Sequence, residues 1–141
     1  MLIAAALVLV ASAAASPEPV PPAAVVFTAA QAHDGLAIFM QSCAKCHAAE
    51  LTGGSAPNLF GPAFTASNLT FGGLNQEITH EMPLDDPESL SATQYAAVIA
   101  YVLAANCYAP GPVPYPSDGT VPNRQAKVAT QGGATKPCAA P

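Results

Sequence analysis

Residues 43–47 read Cys-Ala-Lys-Cys-His, and this stretch decides how the rest of the chain is interpreted. The spacing C-x-x-C-H is that of covalent c-type haem attachment. Two thiols three residues apart near a helix end can bond to the two vinyl groups of one porphyrin, while the adjacent imidazole faces the iron. The pattern therefore predicts one covalently bound haem c, held by Cys43 and Cys46, with His47 as an axial ligand of the iron.

A zinc half-site and a thioredoxin-like redox pair use the same gap between two cysteines. A zinc site requires a second Cys or His pair at similar spacing, and Cys107 and Cys138 stand alone in the sequence. A thioredoxin-like pair belongs in a βαβ setting, whereas the surroundings of this pair have helical and loop-like patterns. Haem attachment is therefore the favoured interpretation.

The composition excludes several classes of protein. The chain has 141 residues, of which 51% are hydrophobic, 9% charged and 6% aromatic, and its formal net charge is −5. Such a chain lacks the basic face that nucleic acid requires. No apolar run reaches the roughly 18 residues of a membrane-spanning helix. The shortage of large side chains predicts a thin core, which a bound cofactor would fill.

Two N-terminal segments are predicted to lie outside the folded domain. Residues 1–15 form a signal peptide, with an apolar core and the small residues Ala13 and Ala15 before the expected cleavage point. Residues 16–27 form a proline-rich leader. We therefore expect an exported, periplasmic protein that does not span the membrane after cleavage, with an uncleaved N-terminal anchor as the alternative.

Two stretches have apolar residues at the spacing of an amphipathic helix. They predict helices over residues 29–42 and 92–105, each beginning at a capping box. The capping-box residues are Thr28 with Gln31 and Ser91 with Gln94. Between the two helices, residues 48–90 are rich in Gly and Pro, predict at most a short helix over 75–80, and have no convincing β-alternation. A loop section of this length is expected to wrap around something.

These features resemble the class I c-type cytochromes, a family of small all-α haem domains whose N- and C-terminal helices cross. In that family a Gly, an aromatic residue and the first haem Cys follow one another at intervals of four, and Gly35, Phe39 and Cys43 keep that spacing. The last helix carries an aromatic residue where it crosses the first, and Tyr101 fits. The resemblance covers residues 28–107. It accounts for a Gly inside a helix, because the missing Cβ permits a close crossing.

Four side chains are candidates for the second axial ligand: Met82, His80, Met40 and His33. The resemblance implies Met82, because the Met-Pro dipeptide at this position matches the family's ligand loop. A thioether is a soft, neutral ligand that favours Fe(II) and raises the reduction potential. His80 is the competing ligand and gives bis-His ligation with a lower potential. Met40 is expected in the core and His33 in solvent.

The resemblance also implies a partner for His47. In the family a proline about ten residues after the proximal His lends its backbone carbonyl to the imidazole, and Pro57 occupies that position. Such a hydrogen bond fixes the ring and raises its basicity as a ligand. The alternative is that Pro57 is an ordinary turn proline.

The tail over residues 108–141 departs from the family, since it is rich in proline and has no helical period. Cys107 ends the last predicted helix, and Cys138 lies near the end of the chain. Because an exported chain meets an oxidising compartment, a disulfide between these two residues is expected. Free or intermolecular thiols are the alternative.

The charge is uneven, with seven acidic residues against Lys45 alone in residues 28–107. Four of the acidic residues crowd Met82: Glu81, Asp85, Asp86 and Glu88. If they lie beside the haem edge, they predict a redox partner with a basic or neutral rim. The alternative is a solvated acidic face.

We therefore expect a periplasmic one-electron carrier rather than an enzyme, because six-coordinate iron leaves no place for a substrate. Residues 90–101 also resemble the cytochrome partners of quinoprotein dehydrogenases. This likeness implies a dehydrogenase as electron donor and the respiratory chain, with an oxidase, as acceptor. Two other classes remain open: a five-coordinate or bis-His haem protein with a peroxidase or ligand-sensing role, and a haem-free disulfide module.

Overall fold

Five α-helices and two helical turns form the regular structure of residues 27–138, the part of the chain that this computed structural model describes. The predicted signal peptide and all of the leader except Phe27 lie outside the described residues. The α-helices are α1 (Ala29–Ser42), α2 (Ala44–His47), α3 (Gly61–Ala66), α4 (Phe71–Gln76) and α5 (Ala92–Ala105). A π-helical turn, Glu77–Glu81, continues α4, and a 3-10 turn covers Gln131–Gly133. Within these residues β-pairing is limited to one isolated bridge, between Thr70 and Lys127, so the all-α prediction is confirmed.

The bounds of α1 and α5 are those that the sequence predicts, and their caps differ in one respect. At α5 the capping box is complete, because Ser91 and Gln94 each accept a hydrogen bond from the other's backbone N–H. At α1 only half of the box forms, where the Thr28 hydroxyl accepts the Gln31 N–H at 3.1 Å. The Gln31 side chain instead exchanges two hydrogen bonds with the backbone of Tyr115, at 2.9 and 2.7 Å. The sequence-distant tail therefore takes the place of the second half of the box.

Helices α1 and α5 cross at Gly35. A Cβ at this position would lie 1.9 Å from the Ala97 carbonyl oxygen and 2.9 Å from the Tyr101 Cβ. One turn further on, the rings of Phe39 and Tyr101 pack at a centroid distance of 5.1 Å. The close crossing that the resemblance implies is present, and it requires a residue without a side chain at Gly35.

The middle of the chain is more helical than its Gly and Pro content predicts. Helix α3 was expected to be loop, because its first two residues, Gly61 and Pro62, are typical of a turn. Helix α4 begins at Phe71, four residues before the short helix that the sequence predicts. The Thr70 hydroxyl caps it, accepting the Gly73 N–H at 3.0 Å. The two consecutive glycines inside α4 interrupt the apolar spacing by which a helix is recognised in the sequence.

The tail packs against the helices, as an integral part of the fold. Tyr115 and Val128 are 2% and 1% exposed. The disulfide between Cys107 and Cys138 is present, with Cα atoms 5.3 Å apart, and the Cys138 N–H donates to the Ala105 carbonyl at 3.0 Å. Every residue of α5 from Tyr95 to its end is buried.

Asn106, directly after α5, joins three segments of the chain. It is fully buried, and its amide nitrogen donates to the carbonyls of Leu59 at 2.8 Å and Val102 at 2.9 Å. Its amide oxygen accepts the Thr130 hydroxyl at 2.6 Å. Every hydrogen-bonding atom of this side chain is therefore used, and the middle segment, α5 and the tail are held together at one point.

Among the described residues, none of the helices is both long enough and apolar enough to cross a bilayer.

Candidate functional site

The Cys-x-x-Cys-His stretch forms a single helical turn at the end of α1. The Cys43 N–H still donates to the Phe39 carbonyl of α1 at 2.8 Å, and the His47 N–H donates to the Cys43 carbonyl at 3.0 Å. Cys43 and Cys46 are both free thiols of intermediate exposure, one helical turn apart. Burial raises the pKa of the Cys43 thiol to about 11, against a smaller opposite effect of Lys45. In neutral solution this thiol is therefore protonated.

Residues 48–59 fold back onto this turn and bring a carbonyl to His47. The Gly53 N–H donates to the His47 carbonyl at 3.0 Å, and the Ala56 N–H donates to the Cys46 carbonyl at 3.2 Å. A Cβ at Gly54 would lie 2.9 Å from the same Cys46 oxygen. The two glycines thus allow the loop to approach the turn closely.

The imidazole of His47 is 8% exposed, and its Nδ1 lies 2.8 Å from the Pro57 carbonyl oxygen. This is the hydrogen bond that the resemblance implies. A carbonyl can only accept, so Nδ1 carries the proton and donates it to Pro57. In the neutral ring Nε2 then has the free lone pair, which is the tautomer required of a metal ligand.

Met82 lies directly after the π-helical turn, at the start of a mostly exposed loop. Its side chain is partly buried, and its backbone carbonyl accepts the Tyr95 hydroxyl at 2.7 Å. Three residues later, Asp85 forms an ion pair with Lys45, which stands between the two cysteines of the turn. This contact lowers the pKa of Asp85 and raises that of Lys45, mainly through the hydrogen bond between them. The Met82 loop and the cysteine turn therefore lie next to each other in the fold.

The other candidate ligands have different positions. His33 is exposed, as expected, beside Asp34. His80 is half-exposed, and its Nδ1 lies 3.1 Å from a Glu88 carboxylate oxygen. Met40, which was expected in the core, is 48% exposed. The prediction for Met40 was wrong because Phe39 occupies the core-facing position of α1, and its neighbour points off that face.

The residues at this site match the requirements of a covalently attached haem. Two free thiols stand at the correct spacing on one turn, and the adjacent buried imidazole has its Nε2 free for a metal. No group of three or more His, Cys, Asp or Glu side chains in residues 27–138 is arranged to hold a metal ion by itself. Cys43 and Cys46 would hold the porphyrin, with His47 on one side of its iron.

Sequence reasoning missed two of the contacts at this site. It predicted no contact for the side chain of Lys45 and none for the hydroxyl of Tyr95. Both contacts join residues that are distant in the sequence, so no local spacing signals them.

A small all-α domain with crossing terminal helices, a Cys-x-x-Cys-His turn and a methionine loop defines a c-type cytochrome domain. The family model described as "Cytochrome C oxidase, cbb3-type, subunit III" matches residues 30–102, just over half of the chain. The chain belongs to this family of c-type cytochrome domains, which implies a haem cofactor and a role in electron transport. Neither a search of curated proteins nor a search of solved structures gave a significant match.

Proposed function

We propose that this protein is a periplasmic one-electron carrier with one covalent haem c and His47 and Met82 as axial ligands. When bound, the haem supplies an iron that alternates between Fe(II) and Fe(III). One electron is thereby accepted from a reduced donor and passed to an oxidised acceptor, with no bond made or broken. No substrate is transformed at this site, so the protein is a carrier and not an enzyme.

The hydrogen bond from His47 Nδ1 to the Pro57 carbonyl carries this proposal. It fixes a buried imidazole in the tautomer that leaves Nε2 free, directly after the two free thiols of the turn. A structural histidine would also need a partner for its ring N–H, so the position of the ring directly after the two free thiols is what points to a ligand. A histidine that ligates a metal needs such a hydrogen bond, because it orients the ring and raises its basicity.

Two observations favour Met82 over His80 as the second ligand. Met82 is partly buried, and the contact between Lys45 and Asp85 shows that its loop lies beside the cysteine turn. His80 is half-exposed and its ring bonds to Glu88. A neutral thioether favours Fe(II), so we propose a potential higher than that of a bis-His protein.

The test of this ligand set compares Met82→Ala with His80→Ala in the holoprotein. We expect Met82→Ala to abolish the sulfur-to-iron absorption band of the oxidised form and to lower the reduction potential. His80→Ala should change neither. Loss of the low-spin spectrum in His80→Ala would show that the iron has a different ligand, and would favour the bis-His alternative.

We further propose that the partners dock beside the Met82 loop and have a basic or neutral rim. The donor is a periplasmic dehydrogenase, for which a quinoprotein is the candidate, and the acceptor is an oxidase complex of the respiratory chain. The family description, which names an oxidase subunit, supports the second choice. Of the four acidic residues near Met82, Asp85 and Glu88 are paired, while Glu81 and Asp86 form no ion pair within residues 27–138.

Charges that remain unpaired act on the rate of encounter with a partner. Added salt should therefore slow the bimolecular electron-transfer rate, because it screens exposed charges beyond about 8 Å at physiological ionic strength. Asp86→Lys should flatten this salt dependence, whereas Asp34→Lys, at an exposed acid on α1, is the matched control. A wild-type rate that does not change with salt contradicts the proposed docking surface.

A further inference from the structure

The loop that follows Met82 has its two ends close together, and one buried hydroxyl lies between them. Residues 83–89 leave the core at Met82 and return at Leu90, and all of them except Pro83 are exposed. Between these two ends, the hydroxyl of Tyr95 donates to the Met82 carbonyl at 2.7 Å and lies 3.5 Å from the Leu90 backbone nitrogen. Tyr95 is 5% exposed and stands in the first turn of α5.

The two ion pairs of this loop are exposed. In the pair between Lys45 and Asp85 the side chains are 52% and 62% exposed, and in the pair between His80 and Glu88 they are 51% and 68% exposed. Exposed ion pairs of this kind are screened by water and salt and contribute little to holding a loop in place. A hydrogen bond from a buried donor contributes more, because breaking it leaves a polar group without a partner.

We propose that Tyr95 is the positioning residue of the ligand loop, and that its hydroxyl sets how often the loop opens. This inference rests on the proposed function, in which the Met82 thioether is an axial ligand. With the hydroxyl bonded to the Met82 carbonyl, the loop is closed and the thioether is held at the site. When that bond breaks, Met82 can leave, and a small external ligand can take its place.

The open fraction of the loop is measurable by competition with an external ligand. The apparent affinity of the protein for such a ligand is its intrinsic affinity multiplied by the open fraction. Imidazole is a suitable probe for the oxidised holoprotein, because its binding removes the sulfur-to-iron absorption band. The measurement reports loop opening and does not depend on electron-transfer activity.

Tyr95→Phe is the informative variant. It removes the hydroxyl and keeps the ring, which packs in the core and also forms part of the wall of a cleft of about 420 Å³ between α4, α5 and the tail. Losing one such buried hydrogen bond is expected to raise the apparent affinity for imidazole roughly five- to ten-fold. The band itself should remain in the absence of imidazole, because the closed loop is still the more populated form.

Tyr115→Phe is the matched control, since it removes a hydroxyl from another buried tyrosine. That hydroxyl lies 3.2 Å from the Asn75 side-chain oxygen, on the side of the tail. The control should bind imidazole as the wild type does, even if its midpoint of urea unfolding falls as far as that of Tyr95→Phe. Equal imidazole affinities in the two variants would overturn the proposed role of Tyr95. A wild-type oxidised protein without the sulfur-to-iron band would instead overturn the assignment of Met82 as ligand.

Discussion

Replacing Gly35 with Ala tests the helix crossing on which the whole site depends. The new Cβ would lie 1.9 Å from the Ala97 carbonyl oxygen and 2.5 Å from its carbon, whereas real Cβ contacts are essentially never shorter than 3.0 Å. The obstacle is the backbone of α5, which cannot rotate out of the way as a side chain can. The two helices must therefore separate by roughly 1 Å, which loosens the contacts along their interface.

The expected change in the free energy of unfolding for Gly35→Ala follows from two opposing effects. Overpacking of a close-packed core costs about 1–3 kcal/mol, and a clash with backbone belongs at the upper end of that range. Alanine in place of glycine within a helix recovers about 1 kcal/mol. Gly35→Ala should therefore lower the free energy of unfolding by about 2 kcal/mol.

Urea unfolding of the holoprotein, followed by circular dichroism, measures this loss. Gly73→Ala is the control, because Gly73 also lies within a helix but its Cβ would meet only side-chain atoms of Leu69 and Thr70, at 3.3 and 3.5 Å. We expect this control to be as stable as the wild type, or more stable by up to about 1 kcal/mol, because it gains helix propensity without a clash with backbone. A Gly35→Ala protein as stable as the control would refute the close crossing.

Three further predictions concern the tail and its junction with α5. Removing the disulfide by Cys107→Ser with Cys138→Ser should lower the free energy of unfolding by roughly 3.5 kcal/mol, because the bond closes a loop with a sequence separation of 31. The haem spectrum should stay unchanged. Non-reducing mass spectrometry that finds two free thiols would contradict the bond. Asn106→Ala should destabilise the protein by about 3 kcal/mol in urea unfolding, because it leaves buried carbonyls without their donor; a loss below 1 kcal/mol would show that water replaces the amide. Burial raises the pKa of Tyr115 to about 12, so the unfolded chain loses this proton first, and stability should fall between about pH 10 and 12. Tyr115→Phe should flatten that slope, and an unchanged slope would mean that other groups cause it.

Local signals in the sequence predict the two long helices. They do not predict the parts of the fold that depend on contacts between distant residues. The bounds of α1 and α5 follow from capping residues and apolar stripes, which act within a few residues. The Gly-Pro start of α3 hides a short helix, because such a helix is held by burial of Phe64 rather than by its own propensity.

At the site, too, the features with a local sequence signal are predicted and those that depend on long-range contacts are not. The Cys-x-x-Cys-His turn and the carbonyl of Pro57 are found from spacing and from resemblance, since both lie within ten residues of His47. The ion pair of Lys45 and the hydroxyl bond of Tyr95 join residues that only the folded chain brings together. For the proline-rich tail the sequence predicts one link, the disulfide, whereas backbone hydrogen bonds and the buried Tyr115 also join the tail to the core.

Whether Cys43 and Cys46 hold a haem is decided by the intact mass and absorption spectrum of the protein after export into a periplasm equipped for c-type haem attachment. We expect a mass increased by one haem that stays attached on denaturation, because Cys43 and Cys46 are bonded to it. We also expect a low-spin spectrum with the sulfur-to-iron band in the oxidised form. A folded, exported protein with both of these thiols free and no haem would contradict the proposed haem attachment.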